Sequence, residues 1–236
     1  MQELPLILLP GLLNTEQLWA DQVIGLGSER PVRVYRTDSF DSLSKLASSI
    51  LADAPERFAL AGLSMGGYVA FEIMRQAPER VDRLALVDTT ARPDSLEQST
   101  RRTSAIAEAL ENGLDEIINN LLPSLLDPKN IENRNLITII KQMAHKIGVE
   151  GFINQQRAIL SRPDSRSDLA NIHCPTIILV GLNDRLTPLN FASEMQSRIR
   201  VSSLVEIPKS GHLSPLENPS AVTVALRGWL KLNCRN

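Results

Sequence analysis

Cysteine is nearly absent: the 236 residues contain two, Cys174 and Cys234. Neither lies in a CxxC pair or at zinc-finger spacing from a histidine, which argues against a disulfide framework and a structural metal site. One buried thiol and one near the C-terminus are expected. Aromatic residues make up only 4%, too few for the stacking platforms that hold single-stranded nucleic acid. No sign of charge dominates: the formal net charge is −2, and the longest basic run is Arg101-Arg102, which argues against a nucleic-acid partner. No apolar stretch reaches the roughly 20 residues that span a bilayer, so no membrane insertion is expected. The apolar start, Met1 to Leu13, is interrupted by Glu3, Pro5, Pro10 and Gly11, and it lacks a positively charged beginning and a small-residue cleavage site. It reads as a buried strand running into a loop, and the expected location is the cytoplasm.

What is present is the balance of a globular chain, 43% hydrophobic and 22% charged, long enough for one large domain or two small ones. Short apolar runs begin at Leu4, Val32, Phe58, Leu84, Thr176 and Ser203. Near-continuous apolar strands suit a parallel sheet covered on both faces. Helical patterns follow over Thr15–Leu26, Ser42–Ala54, Met65–Gln76 and Pro219–Leu232. The alternation predicts an α/β fold with a mostly parallel central sheet of about six strands and helices on both faces. It breaks between Arg92 and Ser167. There Ile106, Leu110, Leu114, Ile117 and Leu121 recur at helical spacing and Pro123 follows. A second pattern runs from Leu136 to Gly148, and a third from Phe152 to Leu160. Residues 1–91 and 168–236 are therefore expected to form the core, and 92–167 a helical cap of three or four helices.

The sharpest motif is Gly62-Leu-Ser-Met-Gly-Gly67, placed between an apolar run and a helical pattern. That is the context in which G-x-S-x-G reads as a nucleophile elbow. A sharp turn lifts the serine hydroxyl above the sheet in a sparsely populated backbone conformation. It also brings the positions two before and two after the serine together, where side chains would collide. The helix N-terminus adds backbone N–H groups and positive partial charge at the reacting oxygen.

A serine hydroxyl needs a base, and the chain holds three histidines: His145, His173 and His212. Loops at the carboxyl ends of parallel strands share one edge of the sheet. His212, in the loop after the sixth run, shares that edge with Ser64. His145 lies in the helical insertion, and His173 precedes the fifth run, at the opposite end. The carboxylate that orients the imidazole is expected at Asp184, just past the fifth run in Gly181-Leu-Asn-Asp-Arg-Leu-Thr-Pro188. Asp88, at the end of the fourth run, is the alternative. The order Ser64, Asp184, His212 is the one expected on an α/β sheet. An oxyanion hole requires two N–H donors. Met65 supplies one, and Leu12 in Pro10-Gly-Leu-Leu-Asn14 the other, with Gly11 permitting an unusual backbone path. In the cap, Arg101, Arg102, Lys141, His145 and Arg157 could meet an acidic substrate, although solvated surface charge is the commoner role for such residues.

Across nearly its whole length the sequence resembles the α/β-hydrolase superfamily. The resemblance rests on the Gly62–Gly67 motif, the Gly181–Pro188 segment, Ser210-Gly-His-Leu-Ser214 and Glu217-Asn-Pro219. It is most similar to small bacterial esterases and enol-lactonases, and also to cofactor-free perhydrolases. Ser64 separates it from haloalkane dehalogenases and soluble epoxide hydrolases, which carry aspartate at that position. The resemblance implies a central parallel sheet with helices on both sides, a helical cap over the serine, and ester or acyl chemistry without a cofactor. The aliphatic stripes of the cap suggest an apolar pocket, so the expected substrate is an ester, lactone or thioester of a small or medium apolar acyl group; no metal is expected, and monomer and homodimer are equally open. Acyl transfer, perhydrolysis, carbon–carbon hydrolysis, a lyase step and non-catalytic binding of a small molecule are the alternatives on this fold. Two departures stand out: Pro10-Gly11 replaces the histidine-glycine of many members, and the further strands that usually precede the first run have no counterpart here.

Overall fold

The computed structural model describes residues 3–232, so Cys234 lies outside the described residues. Six strands form one all-parallel sheet: β1 (Leu6–Leu9), β2 (Val32–Val34), β3 (Phe58–Leu63), β4 (Val81–Val87), β5 (Thr176–Gly181) and β6 (Ser202–Ile207). Their spatial order is β2-β1-β3-β4-β5-β6. Leu8 pairs with Ala61, and Leu63 with Val87, so strands of different length end along one carboxyl edge.

The alternation of side chains along a strand divides the core between the two faces of the sheet. Ile7, Leu9, Leu60, Leu86, Ile178 and Val180 belong to one cluster, covered by α2 (Leu43–Asp53), α3 (Met65–Gln76) and α7 (Leu189–Arg198). Leu6, Leu8, Ala61, Val87, Ile177 and Leu179 belong to the other, covered by α1 (Ala20–Gly27) and by α9 (Pro219–Leu230), which follows the single turn α8 (Ser214–Glu217). β1, β3 and β5 are buried at every position, whereas the edge strands β2 and β6 are partly exposed. This is why the central runs are almost purely apolar and the edge runs carry Arg33 and Glu206.

Several local expectations shift. The pattern over Thr15–Leu26 divides into a 3-10 turn, Glu16–Trp19, capped by the Thr15 hydroxyl, and then α1. Helix α7 has no clear sequence signal because it buries a narrow stripe, Ala192 and Met195. Between β4 and β5 lie α4 (Leu96–Asn112), α5 (Asp115–Leu125) and α6 (Arg134–Leu160). The Ile106–Leu121 stripe runs across two helices, broken at Gly113 with φ +79°. Pro123 falls inside the end of α5 rather than after it. The second and third cap patterns are the two halves of α6, kinked at Gly148, where φ is 70°. Ala109, Ile117, Ile118, Ala144, Ile147 and Phe152 of these helices form a third apolar cluster together with Leu13 of the loop after β1. Among the described residues no helix is long and apolar enough to cross a membrane.

Candidate active site

Ser64 sits at the β3–α3 junction with φ 52° and ψ −113°, a region L-residues rarely occupy. The glycines around it are there for want of space. A Cβ on Gly62 would lie 2.3 Å from the Gly66 carbonyl oxygen, and one on Gly66 would lie 2.2 Å from that of Leu9. The Ser64 N–H donates to the Val87 carbonyl, and the Thr89 hydroxyl donates to the Ser64 carbonyl at 2.8 Å. The strained turn is thus fastened from the neighbouring strand end.

His212 lies in the loop after β6 with its ring buried. Its Nε2 is 2.9 Å from Ser64 Oγ, and its Nδ1 is 2.8 Å from Asp184 Oδ2. The Asp184 carboxylate also accepts from the N–H groups of Leu186 and Thr187 and, at 2.6 Å, from the Thr187 hydroxyl. Burial pushes the Asp184 pKa up, but the His212 charge and these donors pull it below the usual carboxylate value. Burial pushes His212 down, and the Asp184 charge and hydrogen bond more than reverse this, leaving the imidazole above its ordinary value. An ionised Asp184 holds the proton on Nδ1 and leaves Nε2 free to accept from Ser64.

Asp88 follows β4 with φ 43° and is fully buried. It does not reach the imidazole. Its Oδ1 accepts from the Gly181 N–H at 2.7 Å, and its Oδ2 lies 2.6 Å from Ser214 Oγ and 3.2 Å from the Ser214 N–H. Asp88 therefore ties the end of β5 to the histidine loop. Burial, together with the nearby Asp184 charge, raises its pKa to about 8. His145 is half-exposed on α6 beside Asp115, and His173 is exposed before β5.

The Met65 and Leu12 N–H groups have no hydrogen-bond partner among the described residues, and Leu12 borders the same cavity as Ser64. In the Leu12 loop the positive φ falls on Leu13, at 59°, and not on Gly11. Sequence patterning gives no sign of what holds this loop. Gln155, fully buried on the second half of α6, accepts from the Leu13 N–H at 2.9 Å. Its amide nitrogen lies 3.3 Å from the Thr37 hydroxyl, which itself donates to the Pro10 carbonyl. The histidine loop is braced from the inserted helices too. The His212 N–H donates to the Leu125 carbonyl, and Glu217 accepts from the N–H groups of Gly211 and Asp127.

Ser64 and His212 open into a cavity of about 820 Å³ between the sheet edge and the inserted helices. Ile118, Leu121, Ile140 and Leu213 contribute an aliphatic wall. Of the five cationic candidates in the cap, Arg101 and Arg102 border the cavity; Arg92, Arg162 and Arg166, which the sequence did not single out, join them. Lys141, His145 and Arg157 do not line it. Among the described residues, no group of three His, Cys, Asp or Glu side chains is placed to hold a metal ion.

Known proteins agree with this architecture. A family model described as the alpha/beta hydrolase family matches residues 6–226. The chain is 28% identical over 232 residues to a pimeloyl-[acyl-carrier protein] methyl ester esterase of Nitrosomonas europaea, covering 91% of this chain and 90% of that protein. It is 27% identical to 3-oxoadipate enol-lactonase 1 of Acinetobacter baylyi, covering 96% and 89% of the two chains. Among solved structures, a thermophilic esterase from Thermogutta terrifontis with malate bound superimposes with a TM-score of 0.89 at 31% identity, over 98% of this chain and 90% of that one. The six-stranded parallel sheet, the strained serine turn and the family match over residues 6–226 lead to one assignment: the chain belongs to the alpha/beta hydrolase family and is a hydrolase of that fold.

Proposed function

We propose that the protein hydrolyses a carboxylic ester, lactone or thioester with a small or medium apolar acyl stem, through an acyl-enzyme. The observation that carries this reading is the unbroken chain from Ser64 Oγ to His212 and Asp184, at 2.9 and 2.8 Å, at the floor of the cavity. Ser64 Oγ attacks the carbonyl carbon while its proton passes to His212 Nε2. Asp184 stabilises the imidazolium. The oxyanion is received by the N–H groups of Met65 and Leu12, each worth about 3 kcal/mol of barrier. Collapse breaks the bond to the leaving oxygen or sulfur, which takes the proton from His212. Water then gives a proton to His212 and attacks the acyl carbon. The tetrahedral intermediate expels Ser64 Oγ, which recovers its proton, and the acid leaves. Residues 92–167 act as a cap over a core formed by 1–91 and 168–236. The esterase and lactonase names of the relatives point to the same bond type.

The test is turnover of p-nitrophenyl esters of increasing acyl length by wild type and Ser64→Ala. The variant loses about a million-fold in kcat while its circular dichroism spectrum stays that of the wild type. A rate unchanged by Ser64→Ala overturns the mechanism.

A further inference from the structure

The cavity is bordered by arginine in a chain whose net charge is −2: five arginines line it against two carboxylates, Asp94 and Glu97. Most of these arginines are already paired at the rim. Arg92 binds Glu194, Arg101 binds Glu97 and Arg166 binds Asp164. Arg102 and Arg162 differ, because they share a single carboxylate. Asp94 Oδ2 accepts from Arg102 Nε at 2.7 Å, and Asp94 Oδ1 lies 2.8 Å from an Arg162 terminal nitrogen. The other partners of the two guanidiniums are neutral: the Gln156 amide oxygen and the carbonyls of Arg92 and Ile159. The side chains of Arg162 and Asp94 are only 5% and 4% exposed. Guanidinium groups do not give up their charge at accessible pH, so the cluster holds one positive charge more than it has carboxylates, with Arg162 nearly sealed and the Arg102 side chain 21% exposed to the cavity side.

The cluster also stands in register with the chemistry. Tyr68 lies one helical turn, about 6 Å, beyond Ser64 on α3. The Arg162 guanidinium carbon lies 4.3 Å from the centre of the Tyr68 ring. The cavity thus has two chemically distinct walls reached from one serine. The aliphatic wall comes from α5, the first half of α6 and Leu213 of the histidine loop, and the arginine wall from α4, the chain entering it and the chain leaving α6. A substrate complementary to both has an apolar stem and an anionic end.

We propose that the Arg102–Asp94–Arg162 cluster is an anion subsite, and that the substrates are esters or lactones whose acyl part ends in a carboxylate. The incoming carboxylate pairs with the second guanidinium and completes a two-by-two array of arginines and carboxylates. Its attraction also orients the acyl chain, so that the scissile carbonyl lies at Ser64. The substrate assignment rests on the reading of Ser64 as the nucleophile; the subsite itself does not.

The experiment compares monomethyl glutarate with methyl pentanoate, acyl chains of equal length, by following acid release. In wild type the hemiester has the higher kcat/KM by roughly tenfold or more, the return on a charge-assisted hydrogen bond. In Arg102→Gln, and in the milder Arg162→Lys, that ratio falls toward one, mainly through KM. A ratio near one in wild type, or one unchanged in both variants, overturns the proposal. Calorimetric titration of glutarate into Ser64→Ala protein reads the subsite without turnover. Saturable binding that weakens when Arg102→Gln is added supports the subsite, and absence of binding overturns it. Hydrolysis of both esters without preference removes the anion subsite and leaves the esterase reading standing. Binding of glutarate with neither ester hydrolysed does the reverse.

Discussion

The carboxyl edge of the sheet and the helices inserted above it are held in place by different means. At the edge, the groups proposed to react are positioned by backbone: the strained φ of Ser64, glycines pressed against carbonyl oxygens, and N–H groups aimed at Asp184 and Asp88. In the inserted helices, position depends on side chains. A small apolar cluster packs them together, ion pairs run along their surfaces, and one buried amide joins them to the loop after β1. The difference separates two tolerances. The reaction geometry admits almost no change of residue, whereas the chamber above it can be relined.

The sharpest way to break this contrast is at Gly181. A Cβ there would lie 1.8 Å from the Gly211 carbonyl oxygen, next to His212. Gly181→Ala should cost about 3 kcal/mol or more in urea unfolding and depress kcat as the histidine loop shifts. Aliphatic truncations come next. Leu86→Ala in the sheet should lower stability by about 3 kcal/mol, and Ile118→Ala in α5 by about 2 kcal/mol. Only the second should move the optimum of an acyl-length series, since Ile118 borders the cavity and Leu86 does not. The joint between the regions is tested by Gln155→Leu, which leaves the Leu13 N–H without its acceptor. A fall in kcat of about 10- to 100-fold with KM little changed would place its effect in the loop that carries Leu12. The last probe is a pH dependence. Asp88 holds its proton to about pH 8 when folded, whereas the unfolded chain releases it near the ordinary value of 3.8. The folded state therefore loses stability as pH rises through that window. Asp88→Asn carries no such proton, so its Tm relative to wild type should rise between pH 5 and 8 in calorimetric scans.

The sheet and the serine turn were legible because their constraints are local. Gly62, Ser64 and Gly66 stand within one turn, and buried parallel strands advertise themselves as apolar runs. The partner of His212 was legible only through strand order, and it took the observed distances to separate Asp184 from Asp88. The inserted helices were read as helices, but Gly113 and Gly148 divide them where periodicity ran on or simply stopped. Arg102 was among the candidates, but Gln155 and the pairing of Asp94 with Arg162 were illegible for another reason. Buried polar groups need partners, yet those partners lie far along the chain: Gln155 and Leu13 are 142 residues apart. A sequence does not distinguish such an arginine from one facing water.

The two glycine breaks have a practical consequence. Gly113 and Gly148, with φ +79° and +70° and open space where a Cβ would sit, bracket the stretch that supplies Ile118, Leu121, Ile140 and Ala144 to the cavity. Gln155 and Arg162 lie beyond the second break, and Arg102 lies before the first. Residues 114–147 therefore form a natural cassette for recombination between relatives. A donor segment that preserves the backbone at Leu125, and the Asp127 side chain that accepts from Asn183, would bring a new aliphatic lining into an unaltered reaction frame.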